Sequence, residues 1–99
     1  MFNFISNNQQ YITNEEMDFE TLQNARRDLI GELEAIIQYD DHIHSTTIDA
    51  SKETWEFIRD GELIHIGELL GMFFYLSPYQ KQLVDQGLQR FNKRIKDKR

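Results

Sequence analysis

The chain has 99 residues, 39% of them hydrophobic, and a formal net charge of −6. A chain of this length with no sign of a linker between two cores folds as one small domain, which buries little apolar surface alone and gains from association. The absence of cysteine excludes disulfides, thiolate metal sites and iron–sulfur clusters. A bound metal would therefore depend on carboxylate and imidazole groups.

The charge is unevenly distributed along the chain. Five basic residues against one aspartate give residues 93–99 a net charge of +4, which leaves −10 on residues 1–92. An acidic body repels a phosphate backbone, so we expect no nucleic-acid partner. No apolar run reaches the length of a membrane span and the N-terminus has no leader pattern, so we expect no membrane partner and a cytoplasmic location.

The first predicted helix follows an N-terminal arm. Residues 1–12 are rich in Asn and Gln and show no sustained period, which indicates a loose arm. Thr13 and Glu16 have the spacing of a capping box, and the helix is predicted to run from about residue 14 to 46. Steps of three and four residues define its predicted apolar seam: Phe19, Leu22, Arg26, Leu29, Leu33, Ile36, Asp40 and Ile43.

The second predicted helix repeats this pattern. Its predicted seam is Ser51, Trp55, Ile58, Glu62, His65, Leu69, Met72 and Leu76. Asp49 or Ser51 is available as its N-cap. Ser77 and Pro78 end it, because proline cannot continue a helix and restrains the residue before it. A shorter third helix begins at Pro78 or the next residue and is predicted to fray into a basic C-terminal tail, residues 93–99.

These elements predict an all-α fold for a domain that covers residues 13–92. It consists of an antiparallel two-helix hairpin and a short C-terminal helix. Such a hairpin exposes one apolar face along its length. Because the sequence has no internal repeat, a second copy is the simplest source of the missing helices, and we expect the hairpin to dimerise into a ferritin-like four-helix bundle.

The chemically informative motif is a Glu-x-x-His string, Glu62 to His65, in the seam of helix two. Chance produces such a string in about one in four chains of this composition, so its position matters more than its occurrence. Residues i and i+3 share a helix face, and Glu32 offers a second carboxylate from helix one, so the three side chains favour a metal site. The alternative is a buried Glu62–His65 pair with Glu32 turned to solvent.

The chain resembles the encapsulated ferritins, a half-length family of ferritin-like proteins, over about residues 14–92. The matching residues are Glu32-Leu33-Glu34-Ala35-Ile36, Tyr39-Asp40, Glu62-Leu63-Ile64-His65 and the proline that begins the third helix. The resemblance implies that two chains assemble a di-iron ferroxidase site at their interface. It also implies that the dimers form a larger ring-like oligomer.

The resemblance assigns roles to five residues. Glu32, Glu62 and His65 from both chains would bind two irons, with Glu62 as the bridge between them. Tyr39 would lie close to the site, and Glu34 matches an outer position at which metal enters. Iron, or another divalent metal in its place, is therefore the expected bound ion.

The chain departs from the family pattern at two positions and at its end. The family often has an acidic residue where Gly31 stands and Trp where Gln38 stands. It usually ends in an apolar peptide that docks inside an encapsulin shell, whereas residues 93–99 are basic. The resemblance thus implies an encapsulin shell as partner and location, but the basic tail lacks the peptide that would dock there.

Two functions of different classes follow from the sequence. The first is ferroxidase activity, the oxidation of Fe(II) to Fe(III) at a di-iron site between two chains, which feeds iron storage or detoxification. The alternative is a non-enzymatic helical adaptor or structural oligomerisation protein, whose exposed apolar stripe binds a partner helix without metal.

Overall fold

A computed structural model describes residues 15–98, with side chains from Phe19 onward. Its helices are α1 (Glu15–Ser45), α2 (Asp49–Leu76) and α3 (Pro78–Asp97), and residues 15–98 contain no strand. The all-α prediction is therefore confirmed. The predicted arm at residues 1–12 and the predicted cap at Thr13 lie outside the described residues.

The connection between α1 and α2 is three residues long, from Thr46 to Ile48. The Thr46 hydroxyl accepts a hydrogen bond from the Ile48 N–H at 3.1 Å, which holds the turn. Ile48 is the N-cap of α2 in an extended conformation and makes no side-chain capping bond, so the predicted caps Asp49 and Ser51 are wrong. Asp49 instead lies in the first turn, where its negative charge interacts favourably with the positive end of the helix dipole.

The predicted break at Ser77-Pro78 is confirmed. Ser77 N–H donates to the carbonyl oxygen of Phe73 at 3.0 Å, which closes the last turn of α2. Its hydroxyl accepts from the N–H of Gln80 at 3.4 Å, and Pro78 occupies the first turn of α3. Helix α3 continues to Asp97 and includes most of the segment predicted to be a fraying tail.

Helices α1 and α2 pack together as the predicted hairpin. Ala25, Ile43 and Phe73 are the buried apolar residues among the side chains described. Ile43 of the predicted α1 seam is buried, but Ala25 outside it is 1% exposed and Leu33 within it is 53% exposed, so the predicted seam is correct only in part. Leu22, Ala25, Leu29, Glu32 and Ile36 also alternate by three and four residues, and this row faces α2. A small residue at Ala25 lets the helices approach closely.

The predicted seam of α2 is also correct only in part. Phe73 is the buried residue, whereas its neighbour Met72, which was predicted to lie in the seam, is 41% exposed. The contact row therefore includes Trp55, Glu62, Leu69 and Phe73, which places Glu62 inside it and His65 at its edge. The guanidinium of Arg26 lies 5.4 Å from the centre of the Phe73 ring and covers this end of the interface.

Helix α3 leaves the hairpin at its end. Its contact with α2 is limited, and one hydrogen bond of 2.8 Å, from Arg26 Nη2 to Gln80 Oε1, ties its first turn to α1. Along the rest of α3 the apolar side chains are exposed. Within residues 15–98, none of the three helices has the length and apolar character needed to cross a bilayer.

Candidate metal centre

The antiparallel packing of α1 and α2 brings the three predicted ligands together. Glu32 lies in the middle of α1, and Glu62 and His65 lie one helical turn apart in the middle of α2. Because two helices packed in opposite directions meet along their whole length, the midpoints of α1 and α2 face each other. The prediction that Glu32 joins the Glu-x-x-His pair is confirmed, and the alternative with Glu32 in solvent is wrong.

The distances suit a shared ion. His65 Nδ1 lies 3.5 Å from Glu32 Oε1 and 3.5 Å from Glu62 Oε1. One ligand atom from each residue lies within 4.8 Å of the others. Two ligands that are each about 2.1 Å from one ion are themselves roughly 3.0 to 3.5 Å apart. The two gaps to His65 have this length, whereas the set as a whole, within 4.8 Å, is looser.

The two carboxylates share one imidazole, that of His65, as a neighbouring basic group. Their side chains are each 21% exposed, and Glu32 Oε1 is buried without a hydrogen-bond partner among the described residues. The pKa of Glu62 is raised, chiefly because its protonated form can hydrogen-bond to Glu32, and also by desolvation and the Glu32 charge; His65 opposes this shift. Close carboxylates favour a shared proton or a cation.

The chemistry of the donor set fits a metal ion. Two carboxylate oxygens and one imidazole nitrogen are ligands for zinc, iron and manganese alike. Three protein ligands fill only part of a coordination sphere, and the side chain of His65 is 53% exposed, so the set opens outwards. Glu32, Glu62 and His65 can hold a metal ion, and the residues do not specify which one.

A groove of about 380 Å³ adjoins two of the three ligands, Glu32 and His65. It is lined by Asp28, Gly31, Glu32, His65, Glu68, Leu69 and Met72. We call this side of the hairpin, with the three ligands and the groove, the triad face. A side chain at Gly31 would meet nothing within 4 Å, so the space beside α1 is open there.

The other two predicted site residues are not part of this group. Tyr39 lies two turns beyond Glu32, and its ring contacts His42 edge-on at 6.3 Å between centroids. Glu34 is exposed and lies about 200° around α1 from Glu32, so it does not reach the triad face. A role for either residue in this chain remains a prediction.

Sequence reasoning missed two acidic residues of the groove. Asp28 precedes Glu32 by four residues, and Glu68 follows His65 by three. Helical spacing alone would have found them, because residues three or four apart share a face. Both carboxylates line the approach to the triad and make it more negative.

A scan against protein-family models, a search of curated proteins and a search of solved structures returned no match to this chain.

Proposed function

We propose that two copies of this chain pair through their triad faces and oxidise Fe(II) to Fe(III) at a di-iron site between them. The observation that carries the proposal is the meeting of Glu32, Glu62 and His65, together with the buried Glu32 Oε1, which accepts no hydrogen bond from the described residues. A cation is the simplest partner for that oxygen. Iron is the substrate here, and the oxidised iron passes on to storage or detoxification.

The incomplete ligand set supports a second chain. Ferritin-like di-iron bundles use four glutamates and two histidines, contributed by four helices. One hairpin offers half of that set, and a two-fold axis would supply the other half. The exposed side of His65 and the open space at Gly31 leave room for a partner hairpin on the triad face.

The proposed chemistry balances in electrons and protons. Each Fe(II) gives up one electron, so the two Fe(II) ions of one site, with two protons, reduce dioxygen to hydrogen peroxide. Reduction of dioxygen to water needs four Fe(II) ions and four protons. Anionic oxygen ligands stabilise Fe(III) more than Fe(II), so Glu32 and Glu62 favour the oxidised ion. Glu62 has a raised pKa and must lose any proton before it binds the cation. The proton released is available to the reduced oxygen.

Oxidation of Fe(II) in air tests the proposal. Metal-free protein is given Fe(II), and the rate of Fe(III) formation is compared with buffer alone. We expect Glu62→Gln and His65→Ala each to lower the rate at least about tenfold, because each removes a ligand. Glu53→Gln is the matched control, because this exposed glutamate of α2 lies on another side of the helix.

The oligomeric mass separates the two candidate functions. If the metal site joins two chains, Fe(II) added under nitrogen should double the mass of the wild-type protein at concentrations where the metal-free chain is monomeric, and His65→Ala should prevent the change. No oxidation above buffer, together with a mass that Fe(II) does not alter, would contradict the ferroxidase and favour the helical adaptor.

A further inference from the structure

The side of the hairpin opposite the triad face carries a second exposed apolar stripe. We call this side the back face. It contains Phe19, Ile30, Leu33 and Ile37 of α1 and Leu63 of α2, all more than half exposed. Leu33 and Leu63 each follow a triad glutamate by one residue, which turns them about 100° away from it. The Arg59–Asp40 ion pair of 2.9 Å lies on the same side, four residues before Leu63 and three after Ile37.

Helix α3 carries an apolar stripe of its own. Val84, Leu88, Phe91 and Ile95 follow steps of four, three and four residues, which is the spacing of a coiled-coil seam. All four are exposed. The seam is about 17 Å long at ~1.5 Å per residue, and the back-face stripe from Phe19 to Ile37 is about 27 Å long. The seam is shorter than the stripe, in which Arg26 stands between Phe19 and the Ile30–Ile37 end.

The charges around the two stripes are opposite. Helices α1 and α2 together carry fifteen acidic and four basic residues. Asp41 and Glu56 border the back face, where Asp40 and Asp60 are paired with Arg59. Helix α3 carries five basic and two acidic residues. A basic helix attracts an acidic surface, whereas two copies of α3 repel each other. An anionic membrane would attract α3 but would repel the hairpin beside it.

We propose that α3 of one copy packs its Val84–Ile95 seam lengthwise on the back face of a second copy. The interface is head-to-tail, because the two surfaces that meet are different. It lies away from the triad face, so one chain can use both surfaces at once. The docking itself does not depend on the proposed iron chemistry.

Two complementary variants test this interface. Leu88→Asp with Phe91→Asp removes the α3 seam, and Leu33→Asp with Ile37→Asp removes the back face. All four side chains are exposed, so neither variant opens the core. Their masses are measured by analytical ultracentrifugation in buffer with a metal chelator. Any result then concerns this interface and leaves the iron proposal untouched.

The docking of unlike surfaces predicts a specific pattern of masses. The wild-type protein associates as its concentration rises, and each variant alone loses at least about tenfold in association constant. A mixture regains association as pairs of one chain of each kind, because one variant keeps an intact α3 and the other an intact back face. Gln86→Asp with Gln89→Asp adds the same charge to the far side of α3 and should associate as the wild type does.

Three results would overturn the proposal. Normal association of the back-face variant alone would mean that α3 pairs with something else, such as another α3. A wild-type chain that stays monomeric at all concentrations would mean that no second copy is bound. Sedimentation of monomeric wild type with phosphatidylserine vesicles would make the partner a membrane. If circular dichroism shows that the double back-face variant has lost helix, Leu63→Asp alone replaces it.

Discussion

The two sides of the α1–α2 interface differ in how they compensate charge. On the back face, Arg59 donates a hydrogen bond of 2.9 Å to Asp40, and each charge has its opposite. On the triad face, Glu32 and Glu62 share one imidazole, His65, at 3.5 Å. The hydrogen bond to Asp40 raises the pKa of Arg59 and keeps it charged, whereas the pKa of Glu62 is raised towards its neutral form. The Arg59–Asp40 pair joins two helices with its charges balanced, whereas the excess negative charge of the triad can be balanced by a bound cation.

The largest expected effect comes from adding metal to the triad face. A ligand present at a hundred times its dissociation constant stabilises the folded protein by about 2.7 kcal/mol, which raises the melting temperature of a domain this small by about 10–20 °C. We expect this rise with Fe(II) under nitrogen in the wild-type protein and in Glu53→Gln. We expect none in Glu32→Gln or His65→Ala. A rise of equal size in all four proteins would place the metal elsewhere.

Neutralising one carboxylate of the triad should stabilise the metal-free protein. In Glu62→Gln, a like charge is lost and an amide N–H can donate to the unpartnered Glu32 Oε1. We expect the melting temperature without metal to rise by a few degrees while Fe(II) oxidation is lost, because stability and site chemistry oppose each other here. Scanning calorimetry in chelator measures the change. A lower melting temperature would show that the negative charge of Glu32 and Glu62 is already balanced in the metal-free protein.

Breaking the Arg59–Asp40 pair of the back face should lower the melting temperature, by less than Glu62→Gln raises it. Arg59→Met leaves Asp40 without its cation, but the Asp40 side chain is 43% exposed and water can solvate it. We expect a fall of at most a few degrees and unchanged Fe(II) oxidation. Arg27→Met is the control, since Arg27 bonds to Asn24 within its own helix. A loss of oxidation in Arg59→Met alone would mean that the two sides are coupled.

The smallest expected effect is the pH dependence of the metal-free protein. Because the pKa of Glu62 is higher in the folded state than its ordinary value of 4.5, the folded chain binds this proton more tightly than the unfolded chain does. Stability therefore falls as pH rises from that ordinary value through the folded pKa. Urea unfolding across this window should show a shallower fall for Glu62→Gln than for Glu53→Gln. Parallel curves would contradict the raised pKa.

The sequence predicted the hairpin because the signals that start and end its helices are local. The end of α1, the break at Ser77 and the start of α3 at Pro78 each depend on a few neighbouring residues. The triad was also predictable, because i and i+3 spacing on α2 and the midpoint of α1 are enough to bring Glu32, Glu62 and His65 together.

The sequence did not predict in the same way which side of each helix contacts the other helix. Two adjacent rows of α1 alternate by three and four residues, one through Leu33 and the other through Ala25 and Glu32. Hydrophobicity favours Leu33, but packing selects the row with Ala25, because a small residue allows closer contact. On α2, His65 lies at the edge of the interface, with its side chain 53% exposed. The exposure of that edge is what the proposed dimer requires.

Anomalous diffraction at the iron edge, from crystals grown with Fe(II) under nitrogen, tests the central claim most directly. We predict two iron peaks between two chains, each within about 2.3 Å of ligand atoms from Glu32, Glu62 and His65. Iron bound elsewhere, or two triad faces that do not meet while the metal is present, would contradict it.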